Sequence, residues 1–402
     1  MQRILRRLCV LMLVLAPCAQ AGSLFEVIAD NGGAHASGRS ASLIDLVKDA
    51  ISARGAFTAF SDTSGYTITI RYGGDHSLLL VLTNSGGGFT LTTPTGKTFT
   101  NPTMDGLAHD VGGKLKRDRS ILDFGDSVLS VTDGHPGAST EIMAAQDYEL
   151  FASPPTLTRD ERAALMERRA AAERERGSMD ISADYGRIRA RSFDGSSYTL
   201  PISYRKPLNE RATLVFGFPV NYTEIEGAQI YRGGVGVGLP LQVWLPDTNR
   251  PWSWQVALSG SAMAGVSDDM AEGSIVAQGA LSSALTYDLP FCSLSMGNHF
   301  SFYESEPLAG YDAQVSQQIT KNGLKVGVPV GRGWVVETWG IHTYFFESAA
   351  TRNFYTVGGS LAYRRRGKAG GPSRGSVYLS VYADVADNYV TPHARLGARW
   401  SF

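Results

Sequence analysis

Apolar and polar residues alternate with a period of two along most of the second half of the chain. At this period a β-strand presents its two faces to different surroundings. In the last segment one face is apolar: Ala394, Leu396, Ala398, Trp400 and Phe402. The other face is polar or glycine: His393, Arg395, Gly397, Arg399 and Ser401. Similar alternation predicts twelve strands in all, near 198–205, 213–222, 228–243, 252–265, 273–288, 291–303, 311–320, 323–331, 334–346, 353–364, 375–385 and 391–402.

These strands are predicted to close into a barrel. Beyond the first residues of the chain, no apolar run reaches the roughly 18 residues that a membrane-spanning helix requires. A chain that crosses a bilayer without such a helix must form a closed barrel, because lipid leaves the edge of an open sheet unpaired. We therefore predict a mainly β protein, in which residues 198–402 form a transmembrane antiparallel barrel of about twelve strands. Asn322-Gly323, between two predicted strands, is typical of a hairpin turn.

The first half of the chain predicts a small soluble α+β domain, residues 22–153. Residues 22–40 are polar and rich in Gly and Ser, which favours a loose leader. Apolar residues at helical spacing predict a helix over 42–54. The remaining predicted elements are strands at 57–60, 66–72, 78–83 and 89–93, a helix over 103–116, and an extended segment over 121–131.

A charged segment, residues 154–197, links the two predicted domains. Thr158 and Glu161 have the spacing of a helix-capping box, and residues 159–176 contain six Arg and five Asp or Glu. We predict a charged helix here, followed by a flexible lead over 177–197. Two interpretations are open: a solvated spacer, or a helix threaded through a polar lumen that suits its mixed charges.

The N-terminal 21 residues have the pattern of a secretory signal peptide. Basic residues precede a short apolar run over 8–16, and Ala19-Gln20-Ala21 forms a cleavage site. We expect export through the Sec translocon and a mature chain that begins at Gly22, with lipoprotein processing at Cys18 as the alternative. Of the three cysteines only Cys292 then remains, so no internal disulfide is expected.

The composition of the chain excludes two classes of protein. The 37 Lys and Arg balance 38 Asp and Glu, which excludes a broadly basic nucleic-acid binder. The mean hydropathy of -0.10 excludes a helical membrane protein, and it suits strands that each hide one polar face. The histidines of the first half show no recognised metal-ligand spacing, so we expect neither a metal nor a cofactor.

Five arginines face the lumen in the predicted register. Such a lining favours anions, or pairs with carboxylates of the charged helix. They are Arg205, Arg232, Arg364, Arg395 and Arg399.

The aromatic Phe402, which closes an amphipathic strand together with Trp400, resembles the assembly signal of bacterial outer-membrane proteins. The order of signal peptide, N-terminal domain, helix and about twelve strands resembles the architecture of an autotransporter. The resemblance covers residues 156–402, and this chain departs from it in having a small α+β domain instead of a long repetitive passenger. It implies a Gram-negative outer-membrane protein that contacts lipid and the barrel-assembly machinery, and that translocates or anchors its N-terminal domain without enzymatic chemistry.

Two alternatives stay open. One is an outer-membrane pore with a periplasmic domain. The other is a lipid hydrolase, because His299 and Ser301 resemble the His-x-Ser pair of outer-membrane phospholipases and lipid A deacylases. In the predicted register this pair faces the lumen, whereas in those enzymes it faces lipid, and Phe302 replaces the Asn that follows the serine there.

Overall fold

The computed structural model describes residues 25–40, 42–60, 65–72, 76–84, 88–93, 96–114, 139–149, 156, 177–190, 194–244, 251–267, 272–307, 316–331, 333–346, 351–365, 375–387 and 389–401. The predicted signal peptide, the charged helix predicted at 159–176, the extended segment predicted at 121–131 and Phe402 lie outside these residues. Within the described residues no helix is long and apolar enough to cross a membrane.

The N-terminal domain is an antiparallel sheet of six strands in the order β2-β1-β3-β4-β5-β6. One face of the sheet packs against the helices, since Val27, Ile68 and Leu80 share a buried core with Leu46 and Leu107. The elements are β1 Phe25–Asp30, β2 His35–Ser40, α1 Leu43–Ile51, a 3-10 helix Gly55–Phe60, β3 Gly65–Tyr72, β4 His76–Asn84, β5 Phe89–Thr92, β6 Thr98–Asn101 and α2 Met104–Lys114.

Two predictions for this domain are wrong. The segment expected to be a loose leader forms the hairpin β1–β2, because Asn31 accepts backbone hydrogen bonds in the turn and alternate β1 side chains enter the core. The strand expected at 57–60 is a 3-10 helix, because Phe57 and Phe60, three residues apart, both point into the core. The helix predicted over 42–54 is confirmed as α1, with Ser42 as its N-cap.

The C-terminal region is a closed antiparallel barrel of twelve strands, in which β18 pairs with β7. We call the end that contains Ser178 and Ser401 the base, and the opposite end the mouth. The strands are β7 Ser178–Ala190, β8 Asp194–Pro207, β9 Thr213–Ile225, β10 Ala228–Trp244, β11 Trp252–Ser267, β12 Glu272–Asp288, β13 Ser293–Pro307, β14 Ser316–Pro329, β15 Trp334–Phe345, β16 Asn353–Arg365, β17 Gly375–Val385 and β18 Tyr389–Ser401.

The predicted number of strands is confirmed, but two errors in their placement cancel. The lead expected over 177–197 contains β7, so the barrel begins at Ser178. The strands expected at 311–320 and 323–331 are one strand, β14, because Asn322 and Gly323 pair in register with β13 and β15. The alternation of β7 is hard to recognise because it inverts: Asp184 faces inward near mid-strand, whereas the inward residue nearer the mouth is the buried Ile188.

The outside of the barrel carries a continuous apolar surface. Leu258, Val381 and Leu379 are each more than half exposed, as are many equivalent positions, and such a surface requires lipid around it. Aromatic residues border it on both sides. Toward the mouth, Tyr185, Tyr198, Tyr222 and Tyr231 form a ladder with ring centroids 5.1 to 6.0 Å apart. Toward the base, the pairs are Trp244–Trp254, Trp252–Tyr287 and Trp334–Tyr363.

The spacing of the two aromatic borders fits a bilayer. Tyr231 and Trp244 lie thirteen residues apart on β10. At about 3.3 Å per residue and a strand tilt of about 40°, they are separated by about 33 Å along the barrel axis. This matches a hydrocarbon core of about 30 Å, so the barrel is a transmembrane one.

Candidate functional site in the barrel lumen

The N-terminal domain packs against one side of the barrel mouth. Its buried core continues into inward-facing side chains of the barrel that lie close to the mouth. These are Ile188 of β7, Ile225 of β9, and Ala228 and Ile230 of β10. Apolar contact of this kind holds the domain at the mouth and explains why β7 turns apolar there.

A third helix, α3 Ser139–Asp147, lies inside the lumen. Ile142, Met143 and Ala144 of this helix are 8%, 2% and 0% exposed. They share a core with inward side chains from the mouth ends of seven strands: Met263, Val276, Tyr303, Ile319, Phe345, Phe354 and Tyr389. The mouth is therefore occupied by α3 on one side and flanked by the N-terminal domain on the other.

Polar contacts fix the two ends of α3 to the wall. Near its beginning, Glu141 Oε1 is 3.5 Å from Lys321 Nζ, and both side chains are almost completely buried. At its end, the Ser261 hydroxyl donates a hydrogen bond of 3.2 Å to Asp147. A buried carboxylate is costly without such partners, so these contacts define where the helix can rest.

The chain continues below α3 along β14. The ring of Tyr148 packs edge-on against His299 of β13, with centroids 6.2 Å apart. The Tyr148 hydroxyl lies over Gly323, where any Cβ atom would overlap it. Glu149 forms an ion pair with Arg395 of β18, about halfway down the lumen.

The last described contact of this segment is near the base. The backbone N–H of Thr156 donates a hydrogen bond of 2.9 Å to Glu337 Oε1, which lies 3.9 Å from Lys325 Nζ. The Thr156 side chain lies over Gly327 in the same way that Tyr148 covers Gly323. Residues 139–149 and Thr156, which we call the threaded segment, thus lie progressively from mouth to base, where β7 begins at Ser178.

A network of charged and aromatic residues joins the first and last strands at the lumen wall. Asp184 of β7 accepts bonds from Arg395 Nε at 2.7 Å and from the Tyr382 hydroxyl at 2.5 Å, and it lies 3.0 Å from His393 Nδ1. Nearer the base, Asp180 pairs with Arg399 at 2.8 Å. Arg395 therefore bridges the wall of the barrel and Glu149 of the threaded segment.

The five arginines predicted to face the lumen all lie on inward positions. Arg395 and Arg399 pair with the β7 carboxylates, and Arg232 donates to Asn221 and Thr223. Arg205 faces inward beside Ser203, and Arg364 lines a cavity in the lumen. The sequence does not predict the partners of Arg395 and Arg399, because Asp180 and Asp184 fall in the stretch for which it predicts a flexible lead.

A cavity of about 170 Å³ remains below α3. Cationic, anionic and aromatic side chains line it together with small serines of β13, β16 and β17. The charged and aromatic members include Glu149, Lys325, Glu337, Trp339, Arg364, Arg395 and Arg399.

The predicted His-x-Ser pair faces the lumen, as its register indicated. His299 Nδ1 is 2.8 Å from the Ser282 hydroxyl, and the Ser301 hydroxyl donates to the Ile319 carbonyl at 3.4 Å. Both residues are buried on the wall, and Tyr148 packs beside His299. Among the described residues no group of three or more His, Cys, Asp or Glu side chains is placed to hold a metal ion.

No protein-family model matches the sequence, and no curated protein matches it. Solved structures similar to this one include the β domain of the Bordetella autotransporter BrkA, with 14% identity, a TM-score of 0.42, and coverage of 57% of this chain and 100% of that one. The translocator domain of NalP from Neisseria meningitidis has 11% identity, a TM-score of 0.40 and coverage of 63% and 99%. The transport unit of AIDA-I from Escherichia coli has 9% identity, a TM-score of 0.40 and coverage of 61% and 100%. At these values no function is transferred to this chain.

Proposed function

We propose that this barrel resides in the outer membrane of a Gram-negative cell and translocates, then anchors, its own N-terminal domain at the cell surface. One observation carries the proposal: the domain packs at the mouth, whereas the first barrel strand begins at the base. The threaded segment lies in the lumen between them. A chain with this path has to pass through its own barrel.

We propose the direction from the position of the two barrel ends. The strand number is even, so both ends of the barrel lie on the same side of the membrane. We propose that this side is the periplasm, because the exported chain reaches the outer membrane from there. Ser178 and Ser401 would then be periplasmic, and the mouth would face outward. The partners that we propose are outer-membrane lipid around the apolar belt, the Sec translocon, and the barrel-assembly machinery acting on Phe402.

The test is cysteine labelling with a membrane-impermeant maleimide. Thr100 is an exposed residue of the N-terminal domain, and Cys292 lies in a connection at the base. In a Cys292→Ser background, Thr100→Cys should be labelled on intact cells. In the parent chain, Cys292 should be labelled only after the outer membrane is permeabilised.

The alternative function is a pore with a periplasmic domain, and the cavity below α3 is the observation in its favour. That function requires the opposite labelling result. If Thr100→Cys reacts only after permeabilisation, display at the surface is refuted and the pore becomes the better proposal. A domain that stays inside would then plug its pore from the periplasm.

We propose that the barrel performs no lipid hydrolysis. His299 and Ser301 lie on the lumen wall away from the lipid belt, and the Ser301 hydroxyl donates a hydrogen bond to the Ile319 backbone carbonyl instead of to His299. Purified protein in detergent–phospholipid micelles should release no fatty acid. A release that is lost in Ser301→Ala and retained in Ser376→Ala, another lumen serine, would contradict this.

A further inference from the structure

One inward stripe of the barrel wall has an alternating pattern of residue types. From residue 321 to residue 327 of β14, the positions that face the lumen are Lys321, Gly323, Lys325 and Gly327, and we call them the β14 stripe. The intervening Asn322 and Leu324 face outward, and Leu324 is 58% exposed to the lipid side. Lysine and glycine thus alternate along the stripe, so that each long cationic side chain is followed by a position without a side chain.

The threaded segment meets this stripe in order. Glu141 pairs with Lys321, Tyr148 covers Gly323, and Thr156 covers Gly327. Between the glycines, Lys325 lines the same cavity as Glu149, and its Nζ lies 3.9 Å from the glutamate that receives the Thr156 N–H. Segment and strand run in the same direction, from mouth to base.

The two glycines are tied to the segment by shape. An ideal Cβ at Gly323 would overlap the Tyr148 hydroxyl, and one at Gly327 would overlap the Thr156 side chain. By contrast, a Cβ at Gly340, which faces outward on the neighbouring strand β15, would meet nothing within 4 Å. Neither stripe glycine has a positive φ, so space for the segment is the constraint at these positions.

We propose that the β14 stripe is a docking track that specifies which sequence can rest in the lumen. Its lysines select carboxylates and its glycines each admit one side chain of the passing segment. Both selections follow from burial, because an unpaired buried ammonium is costly and an added Cβ displaces the side chain that packs over the glycine. This deepens the proposed function by naming the surface that holds the translocated chain.

Cross-linking tests the track directly and does not depend on which side of the membrane the domain occupies. In a Cys292→Ser background, Glu141→Cys and Lys321→Cys should be joined by a short bifunctional thiol reagent in the purified barrel, seen as a shift in gel mobility. The matched pair Glu141→Cys with Asn322→Cys, whose second cysteine faces outward, should not be joined. Absence of the first cross-link in a barrel that still shows heat-modifiable migration would overturn the proposal.

A clash and its rescue test the selection. Gly323→Ala should raise the fraction of time for which single barrels conduct in planar bilayers by about tenfold or more, since tenfold corresponds to about 1.4 kcal/mol. Once Tyr148→Ala has removed the ring, the extra methyl of Gly323→Ala should have nothing to overlap. Tyr148→Ala alone and Tyr148→Ala with Gly323→Ala should therefore conduct for the same fraction of time. Gly340→Ala should match the parent. If Gly340→Ala and Gly323→Ala behave alike, the glycines serve the strand and the proposal fails.

Charge reversal provides a second test. Lys321→Glu should open the lumen as Gly323→Ala does, and the exchange Lys321→Glu with Glu141→Lys should restore at least half of the closed fraction. If the docking track is wrong, Lys321→Glu should leave the open fraction unchanged, while Thr100→Cys is still labelled on intact cells. If surface display is wrong, Thr100→Cys should not be labelled on intact cells, while the cross-link and the charge-exchange rescue are still observed.

Discussion

The apolar packing of α3 gives the most quantitative prediction. Ile142 and Met143 are almost fully buried against the ring of inward side chains at the mouth. Truncating a buried Ile or Met to Ala typically costs about 2 to 5 kcal/mol. Taking the lower end for each and treating them as independent, Ile142→Ala with Met143→Ala weakens docking of α3 by about 4 kcal/mol. At about 1.4 kcal/mol per tenfold, the docking equilibrium shifts about a thousandfold.

Single-barrel recordings in planar bilayers measure this shift as the fraction of time the lumen conducts. That fraction should rise by up to a thousandfold, or until the lumen is open most of the time. Leu379→Ala is the control, because this residue faces lipid and its loss leaves the lumen unchanged. In a correctly folded barrel, an open fraction that stays within about tenfold of the parent while the lumen is still closed most of the time would refute the assignment of α3 as the element that closes the mouth.

Three further predictions concern other parts of the chain. Burial raises the pKa of the Tyr66 phenol above its ordinary value, and its hydroxyl donates to the Ala50 carbonyl. The domain should therefore lose stability as the pH rises above about 10, and Tyr66→Phe should remove this loss while costing about 1 kcal/mol near neutrality, both measured by hydrogen exchange of α1. Asp184→Asn should destabilise the barrel by about 3 to 5 kcal/mol, measured as the temperature at which heat-modifiable migration is lost. Phe402→Ser should reduce the amount of assembled barrel in the outer-membrane fraction.

A different experimental result would contradict each of these three predictions. For Tyr66→Phe, the same loss of protection above pH 10 as in the parent would contradict the assigned role of the phenol. For Asp184→Asn, the matched control is Asp194→Asn, whose pair with Arg187 is 3.7 Å long and exposed. Such a pair contributes about 0 to 1 kcal/mol, so equal effects of the two variants would contradict the importance of the buried network. For Phe402→Ser, unchanged assembly would remove the basis for an assembly signal.

The parts of the fold that follow from local pattern were predictable. β17 and β18 alternate over most of their length because lipid lies on one side of them and a polar lumen on the other, and both were predicted within a few residues. β7 was not, because the inward face changes from carboxylates near its middle to Ile188 near the mouth. That change is set by the N-terminal domain, which no periodicity within β7 can reveal.

In the candidate site, too, some features could be predicted from the sequence and others could not. The inward direction of Arg395 and Arg399 followed from parity along β18, but their partners Asp180 and Asp184 did not, since these lie more than two hundred residues away in sequence on the strand that closes the barrel. Asn322-Gly323 has the local signature of a turn. Pairing with strands on both sides overrides that signature, and Gly323 serves the packing of Tyr148 instead.

Alternation along the strands was enough to predict a transmembrane antiparallel barrel and a separate α+β domain, because the two faces of each strand must match lipid and lumen wherever the strand lies. The exact strands of the barrel, and the path of the chain between these two parts, depend on the tertiary structure. The path through the lumen depends on side chains of α3, β14 and β18 that meet across the closed barrel. Closure brings them together only when all twelve strands have paired, and no local stretch of sequence contains that information.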